Sequence, residues 1–227
     1  MKKITLLIAA IILVGFSNTL LAGSKNFTGK ITYSISYEGK QIDEMTREMM
    51  PKTMAMYIGN GFTKNVLFTG MGKQTVIYDV KAKSKTAMID MMGQQFAIES
   101  SAEEIEREFE QTPDGEVEFV DETKDIAGYQ CKKIVISFKN DEGEITSQNI
   151  AWYTDELEVS PDVNFDMKYF KDVQGVFMEY QVDMEGGTFM KFTATEVDKK
   201  KVSLKDFVVP ESYKKVTREE LMNSLGG

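Results

Sequence analysis

A two-residue alternation of apolar and polar side chains recurs along this chain and is broken by short polar turns. Ile31, Tyr33, Ile35 and Tyr37 alternate with Lys30, Thr32, Ser34 and Ser36, and Val176, Met178, Tyr180, Val182 and Met184 form a second clean series. Successive side chains of a strand point to opposite faces, so each series predicts a strand with one buried and one wet side. Asn60-Gly61 separates Met54, Met56 and Ile58 from Phe62, Val66 and Phe68, and Asn-Gly is the strongest short-range signal for a tight primed turn. Further strands are expected over 74–80, 86–91, 94–98, 116–122 and 189–197, about ten in all, joined as an antiparallel meander. So large a sheet with hairpin links has to curl or close to hide its edges. The expected fold is mainly β (α+β): a strongly curved antiparallel sheet or half-open barrel of about ten strands, with a few short helices in its concave side.

The longest hairpin, over 126–157, holds the only cysteine, Cys131, and the only tryptophan, Trp152. Its polar loop, 139–143, ends on a glycine, which suits a last position with φ above zero. Ile134, Ile136 and Phe138 share one parity, whereas Tyr129 and Cys131 have the other. A bulge near Lys132 and Lys133 would bring both sets to one face, and Ile150 and Trp152 are expected to continue the buried set. Helical signals are short. Ile42, Met45 and Met49 precede Pro51 at helical spacing, as a short amphipathic helix or an irregular connection. Ser100 and Ser101, with Glu103 and Glu104 three residues further on, offer two overlapping capping boxes before Ile105 and Phe109, and Thr217 with Glu220 caps a last helix carrying Leu221 and Leu225. Ser160-Pro161 reads as an N-cap with proline at the first helical position, ahead of Phe165 and Tyr169. The helices around Ile42, Ile105 and Phe165 are the candidates for a filler or lid.

At the N-terminus, Lys2 and Lys3 precede an apolar run over 4–16, and Leu20-Leu21-Ala22 supplies a small-residue exit. This describes a secretory signal peptide over 1–22, cleaved after Ala22, with an uncleaved anchor helix as the alternative. Ser24 stands near where a lipoprotein signal needs its lipid-bearing cysteine. Residues 23–227 then form a single domain, since no Pro-, Ser- or Gly-rich linker interrupts the strands. The expected compartment is periplasmic or secreted, with no stable membrane anchor. A net charge of −9 becomes more negative once the leader lysines go, and such a surface repels phosphate backbones and anionic headgroups, so no nucleic acid partner is expected. One cysteine forbids an intramolecular disulfide. The chain has no histidine, which removes the usual general base, the Ser-His-Asp and Cys-His systems and the commonest zinc ligand. No cofactor is expected.

Four pieces occur in order: Ile126-x-Gly-Tyr-x-Cys-Lys-Lys, Trp152-Tyr-Thr-Asp-Glu-Leu, Gly175-x-x-x-Glu-Tyr and Phe207-x-x-Pro-x-x-Tyr. Together they resemble a family of exported bacterial proteins related to the outer-membrane lipoprotein carrier, LolA-like in fold. The resemblance implies a half-closed antiparallel barrel with helices in its mouth, whose concave apolar face holds acyl chains in the best-known relatives. No cargo-contacting residue of the carriers matches a position here, so no ligand residue follows from it.

The function expected first is non-enzymatic binding of a hydrophobic ligand, a lipid or a lipidated peptide, in the hollow of such a half-barrel. Tyr33, Tyr37, Met54, Met56, Trp152, Met178 and Tyr180 are the candidate ligand-binding residues. Thioethers adapt to irregular apolar shapes, and aromatic rings give broad contact with a polar tip; the same side chains would equally fill a core. An envelope structural or protein-interaction module remains the alternative. Copper(I) binding by the methionines is a further reading, on Met49-Met50, Met91-Met92 and the Met54-x-Met56 spacing. An enzyme would have to use carboxylates such as Asp155 with Glu156 or Glu179 with Asp183, or the Cys131 thiolate.

Overall fold

A computed structural model describes residues 26–39, 42–70, 72–91, 93–184 and 187–225. The expected leader and Met92 lie outside them. The first half of the chain gives β1 (Gly29–Gly39), β2 (Thr53–Gly59), β3 (Phe62–Thr69), β4 (Gly72–Asp79), β5 (Ser84–Met91) and β6 (Gln94–Ser100). The second half adds β7 (Glu116–Ile126), β8 (Tyr129–Lys139), β9 (Ile145–Thr154), β10 (Val176–Met184), β11 (Thr188–Asp198) and the two-residue β12 (Lys214–Lys215). Three helices interrupt them: α1 (Glu44–Met49), α2 (Ala102–Glu110) and α3 (Arg218–Leu225). All strands join one twelve-stranded sheet in the order β12-β6-β5-β4-β3-β2-β1-β11-β10-β9-β8-β7. The expected curved, mainly β, open architecture is therefore present, with every pairing antiparallel except the short β12 to β6 contact.

The turns follow their chemistry. Asn60 and Gly61 take φ of 55° and 80°, the left-handed pair of a primed turn. The 140–144 loop is tied by Asn140 Oδ1, which accepts from the backbone N–H of Glu142 at 3.1 Å and of Glu144 at 2.9 Å. One turn was illegible from sequence: Ala127 and Gly128, at φ of 52° and 81°, join β7 to β8 by the same geometry. Strand β7 consequently runs on to Ile126, past its expected end at 122.

Register corrects the expected bulge. Strand β8 pairs continuously with β9 from Lys132 to Phe138, and the irregularity lies across the other interface, in β7 between Val120 and Thr123. Residues directly opposite share a face, so Ile134 sits with Ala151, whereas Trp152 sits with Lys133 on the other side. Trp152 does not continue the Ile134 set, and Ile150 is 44% exposed. Further register shifts, at Thr195 opposite β1 and at Met178 in β10, bend the sheet where its two halves join. The main core forms at this bend, where Ile31, Tyr33, Cys131, Val176 and Met178 are buried together.

Two segments cover the sheet. Across one face of β2–β6 runs the C-terminal stretch, whose Val202, Phe207 and Tyr213 pack on Ile77, Met88 and Ala97. The opposite, inner face is covered by α2 and by the long β9–β10 connection. The capping box of α2 forms as expected, with Glu104 N donating to Ser101 Oγ at 3.3 Å and Ser101 N to Glu104 Oε2 at 2.7 Å. Lys85 of β5 ion-pairs Glu108 of α2 at 2.8 Å.

Two of the three lid candidates differ from expectation. Helix α1 buries no residue, and Met45 is 75% exposed; six residues are too few to present a buried stripe. The 160–173 stretch is not a helix. It is a chain of turns closed between residues three apart, such as Val163 N to Ser160 O, Met167 N to Asn164 O and Val173 N to Phe170 O. Asp162, Asn164 and Asp166 fall on alternate positions, and such side chains compete with a helix for backbone groups. Asn164 does so directly, donating to Val173 O at 2.8 Å and Gly175 O at 3.0 Å.

Candidate functional site

A large, mainly apolar groove of about 810 Å³ opens on the described residues. Its floor is the hairpin end of β8–β11, with Phe138 and Val182. Its wall is the 167–170 turn together with 112–114, which follows α2. A second core cluster underlies the floor: Ile134, Ile136, Ala151, Tyr153 and Phe177 pack with Phe170 and Val173 of the covering segment.

Specific contacts hold the wall in place. The Tyr169 hydroxyl donates to Pro113 O at 2.5 Å, and Lys168 Nζ donates to Thr112 O at 2.6 Å and to Asp114 Oδ1 at 2.9 Å. Lys168 holds the Asp114 carboxyl below its ordinary pKa, chiefly through that hydrogen bond. Burial raises the Tyr169 phenol, with a smaller push from Asp114. The Tyr169 ring stands edge-on to Phe138 at 5.5 Å. Gly115 makes this approach sterically possible: a Cβ there would lie 2.8 Å from Ile136 Cγ2 and 3.1 Å from Tyr169 Cε1. With the far side pinned through Asn164, the segment cannot simply drop onto the strands. Val182 beneath it stays 45% exposed.

A smaller cavity of about 240 Å³ lies deeper on the same face, and Tyr33, Met56 and Tyr180 of the expected ligand-binding set line it. The Tyr33 hydroxyl is spent on Phe177 O at 2.9 Å, and burial raises its pKa well above the ordinary value. Tyr180 stacks on Phe192 at 4.8 Å, and its phenol is likewise raised by burial. The remaining four are dispersed. Met54 and Met178 are core residues, at 3% and 0% exposure. Tyr37 is half-buried and donates to Pro51 O at 2.7 Å. Trp152 lies between Lys124 and Lys133, whose ammonium groups are 5.5 Å and 5.8 Å from its ring.

None of the seven lines the larger groove. Sequence reasoning followed the cleanest alternation, which marks the centre of a sheet; the groove uses strand ends and an irregular segment. The available signal was Phe138 at the end of its strand, together with the apolar residues packed into the polar 160–173 stretch.

Three of the four carboxylates considered for catalysis are already engaged. Asp155 pairs with Lys132 at 2.5 Å, Glu156 accepts from Gln130 N at 2.9 Å, and Lys124 Nζ is 3.0 Å from both oxygens of Glu179. Burial pushes the Cys131 thiol up to about 11, so it is protonated at neutral pH. No described helix is long and apolar enough to cross a membrane.

No protein-family profile and no curated protein matches this chain. Among solved structures, PNGF-II in a C2 crystal form is similar at 16% identity and a TM-score of 0.52. The match covers 88% of this chain but 33% of PNGF-II, so the chain spans about a third of that protein, and the likeness is one of fold. The lipoprotein LppX of Mycobacterium tuberculosis is a more distant likeness, at 9% identity and a TM-score of 0.37 over 78% of this chain and 90% of LppX.

Proposed function

We propose that this is an exported, non-catalytic binder of an apolar ligand, a lipid or the acyl chain of a lipidated partner, held in the groove between the 167–170 turn and the β8–β11 floor. The observation that carries the reading is the exposed apolar floor beneath a covering segment that is fixed at both ends. A volume of about 810 Å³ falls in the range of small-molecule sites, which are mostly apolar with a few polar groups at the rim. Lys139, Lys168, Asp114 and Asp183 supply such a rim. The leader-like N-terminus supports export.

The test is saturable binding of a neutral apolar fluorophore, N-phenylnaphthylamine, to the mature chain. Val182→Asp places a charge on the floor at a site exposed enough to tolerate it and is expected to weaken binding by about ten-fold or more, whereas Ile150→Asp, on the opposite face of the same sheet, is expected to leave it unchanged. Absence of binding to the unaltered protein, or full affinity in Val182→Asp, would rule the groove out as a ligand site.

A further inference from the structure

The two edges of the sheet are finished differently. At one end the outer side of β6 is occupied: Lys214 and Lys215 of β12 pair with Phe96 and Ala97, Val216 N donates to Ala97 O at 3.0 Å, and Lys215 Nζ reaches Glu99 Oε1 at 2.6 Å. At the other end β7 pairs with β8 alone. No further backbone-to-backbone hydrogen bond reaches 116–120 among the described residues. An edge strand turns alternate N–H and C=O groups outward, and such a row is a template for another strand.

The side chains of that edge do not close it. Val117 and Phe119 stand opposite Ile136 and Ile134, so both lie on the inner face, and they are 37% and 62% exposed. The Phe119 ring meets Tyr153 edge-on at 6.3 Å and leaves most of its surface to solvent. Glu116, Glu118, Asp121 and Glu122 are the charged residues of 116–122, all of one sign. Lys139 and Lys133 of β8 pair with Glu116 and Glu122, at 2.6 Å and 2.9 Å, while Glu118 and Asp121 form no salt bridge among the described residues. The irregularity between Val120 and Thr123 ends the regular edge, so 116–120 is the stretch in pairing geometry.

We infer that 116–120 takes an added strand from a protein partner, an extended segment in which apolar residues alternate with lysine or arginine. Its apolar side chains continue the inner face beside Phe119, and its basic ones meet Glu118 on the outer face. The chain's own β12 is the precedent, a lysine-bearing segment laid along an edge whose Glu99 it pairs. A second copy is the poorer occupant, because two β7 edges would set acid against acid, and like charges directly opposite each other are destabilising. The inference goes beyond the groove and does not rest on it, since neither Glu118 nor Phe119 lines that hollow.

The test is fluorescence anisotropy of a labelled heptapeptide alternating lysine with valine, titrated with the mature chain. It is expected to bind at least about ten-fold more tightly than the same peptide methylated on every backbone nitrogen, which keeps the charge but cannot donate to an edge. Glu118→Lys is expected to weaken binding by about ten-fold, and Phe119→Ser several-fold. Both residues are exposed, so the variants keep the fold and bind N-phenylnaphthylamine as the unaltered protein does. No binding of the heptapeptide, equal binding of its methylated form, or full affinity in both variants would overturn the inference. So would a dimer of the unaltered chain in sedimentation that Phe119→Ser dissolves, since the edge would then belong to a second copy. Failure of the fluorophore alone would remove the groove reading and leave this one standing.

Discussion

The two covers of this sheet differ in kind. The C-terminal stretch seats the side chains it turns to the sheet: Val202, Phe207 and Tyr213 are 5%, 6% and 7% exposed, while Leu204 and Val208 point outward, and a capping box between Ser203 and Asp206 fixes the turn that carries Phe207. Phe207 stacks on Phe62 at 5.5 Å, and Lys64 reaches across to Asp206 O at 2.5 Å. The 160–173 segment seats Val163, Phe165, Phe170 and Val173 but holds Met167, Lys168 and Tyr169 above the strands. One cover seals its face and the other roofs a hollow. The hollow is thus defined by where a cover is prevented from collapsing, rather than by a special set of side chains on the sheet.

The largest expected effect breaks the sealed side. Phe207→Ala should cost about 3–5 kcal/mol, as for truncation of a buried phenylalanine, read from chemical denaturation. Affinity for an apolar probe in the groove should stay unchanged in the folded protein. A parallel fall in affinity would show that the two covers are coupled through the sheet. Next comes Gly115→Ala, on the roofed side. The added methyl has no room between Ile136 and Tyr169, so a loss of about 1–3 kcal/mol is expected. Tyr169 is then displaced into the hollow and probe affinity drops as well. Unchanged stability would mean that the wall is looser than its contacts imply.

A smaller effect separates the two sides by pH. Burial raises the Asp166 pKa above its unfolded value of roughly 3.9, so the folded state binds that proton more tightly. The stability it contributes is whole below the unfolded value and is lost as pH rises through the folded one. Asp166→Asn should remove this fall and leave the sealed side unaffected. A pH profile identical in the variant would show that Asp166 is not the titrating group.

Much of the sheet was legible from the sequence because period-two alternation and glycine turns are local signals. Asn60-Gly61 was read correctly from a few residues, and of the two overlapping capping boxes that the sequence offers the one on Ser101 forms. The cover was harder. Ser160-Pro161 followed by Phe165 and Tyr169 satisfies the rules for starting a helix, yet the competing hydrogen bonds of Asn164 reach Val173 and Gly175, partners that no local window identifies. The register of β8 was misjudged because parity alone does not say which strand carries the bulge. The candidate ligand residues were chosen for clean alternation, which placed Met54 and Met178 in the core and passed over Val182 of the same alternating series as Met178.

Tyr169→Phe probes the roof with the least disturbance. The ring and its edge-on contact with Phe138 remain, and what disappears is the hydroxyl donation to Pro113 O. Both partners lie where water can take over, so the loss should be no more than about 0.5–1.5 kcal/mol. Lys168 still ties the turn to Thr112 and Asp114, and the wall should hold its position while opening more often. A bound probe would then dissociate faster with its affinity changed by less than about three-fold, since the opening step speeds entry and exit together. Complete loss of binding would instead mean that this one hydrogen bond fixes the wall, and that the contacts of Lys168 and Phe138 do not suffice to keep the hollow in shape.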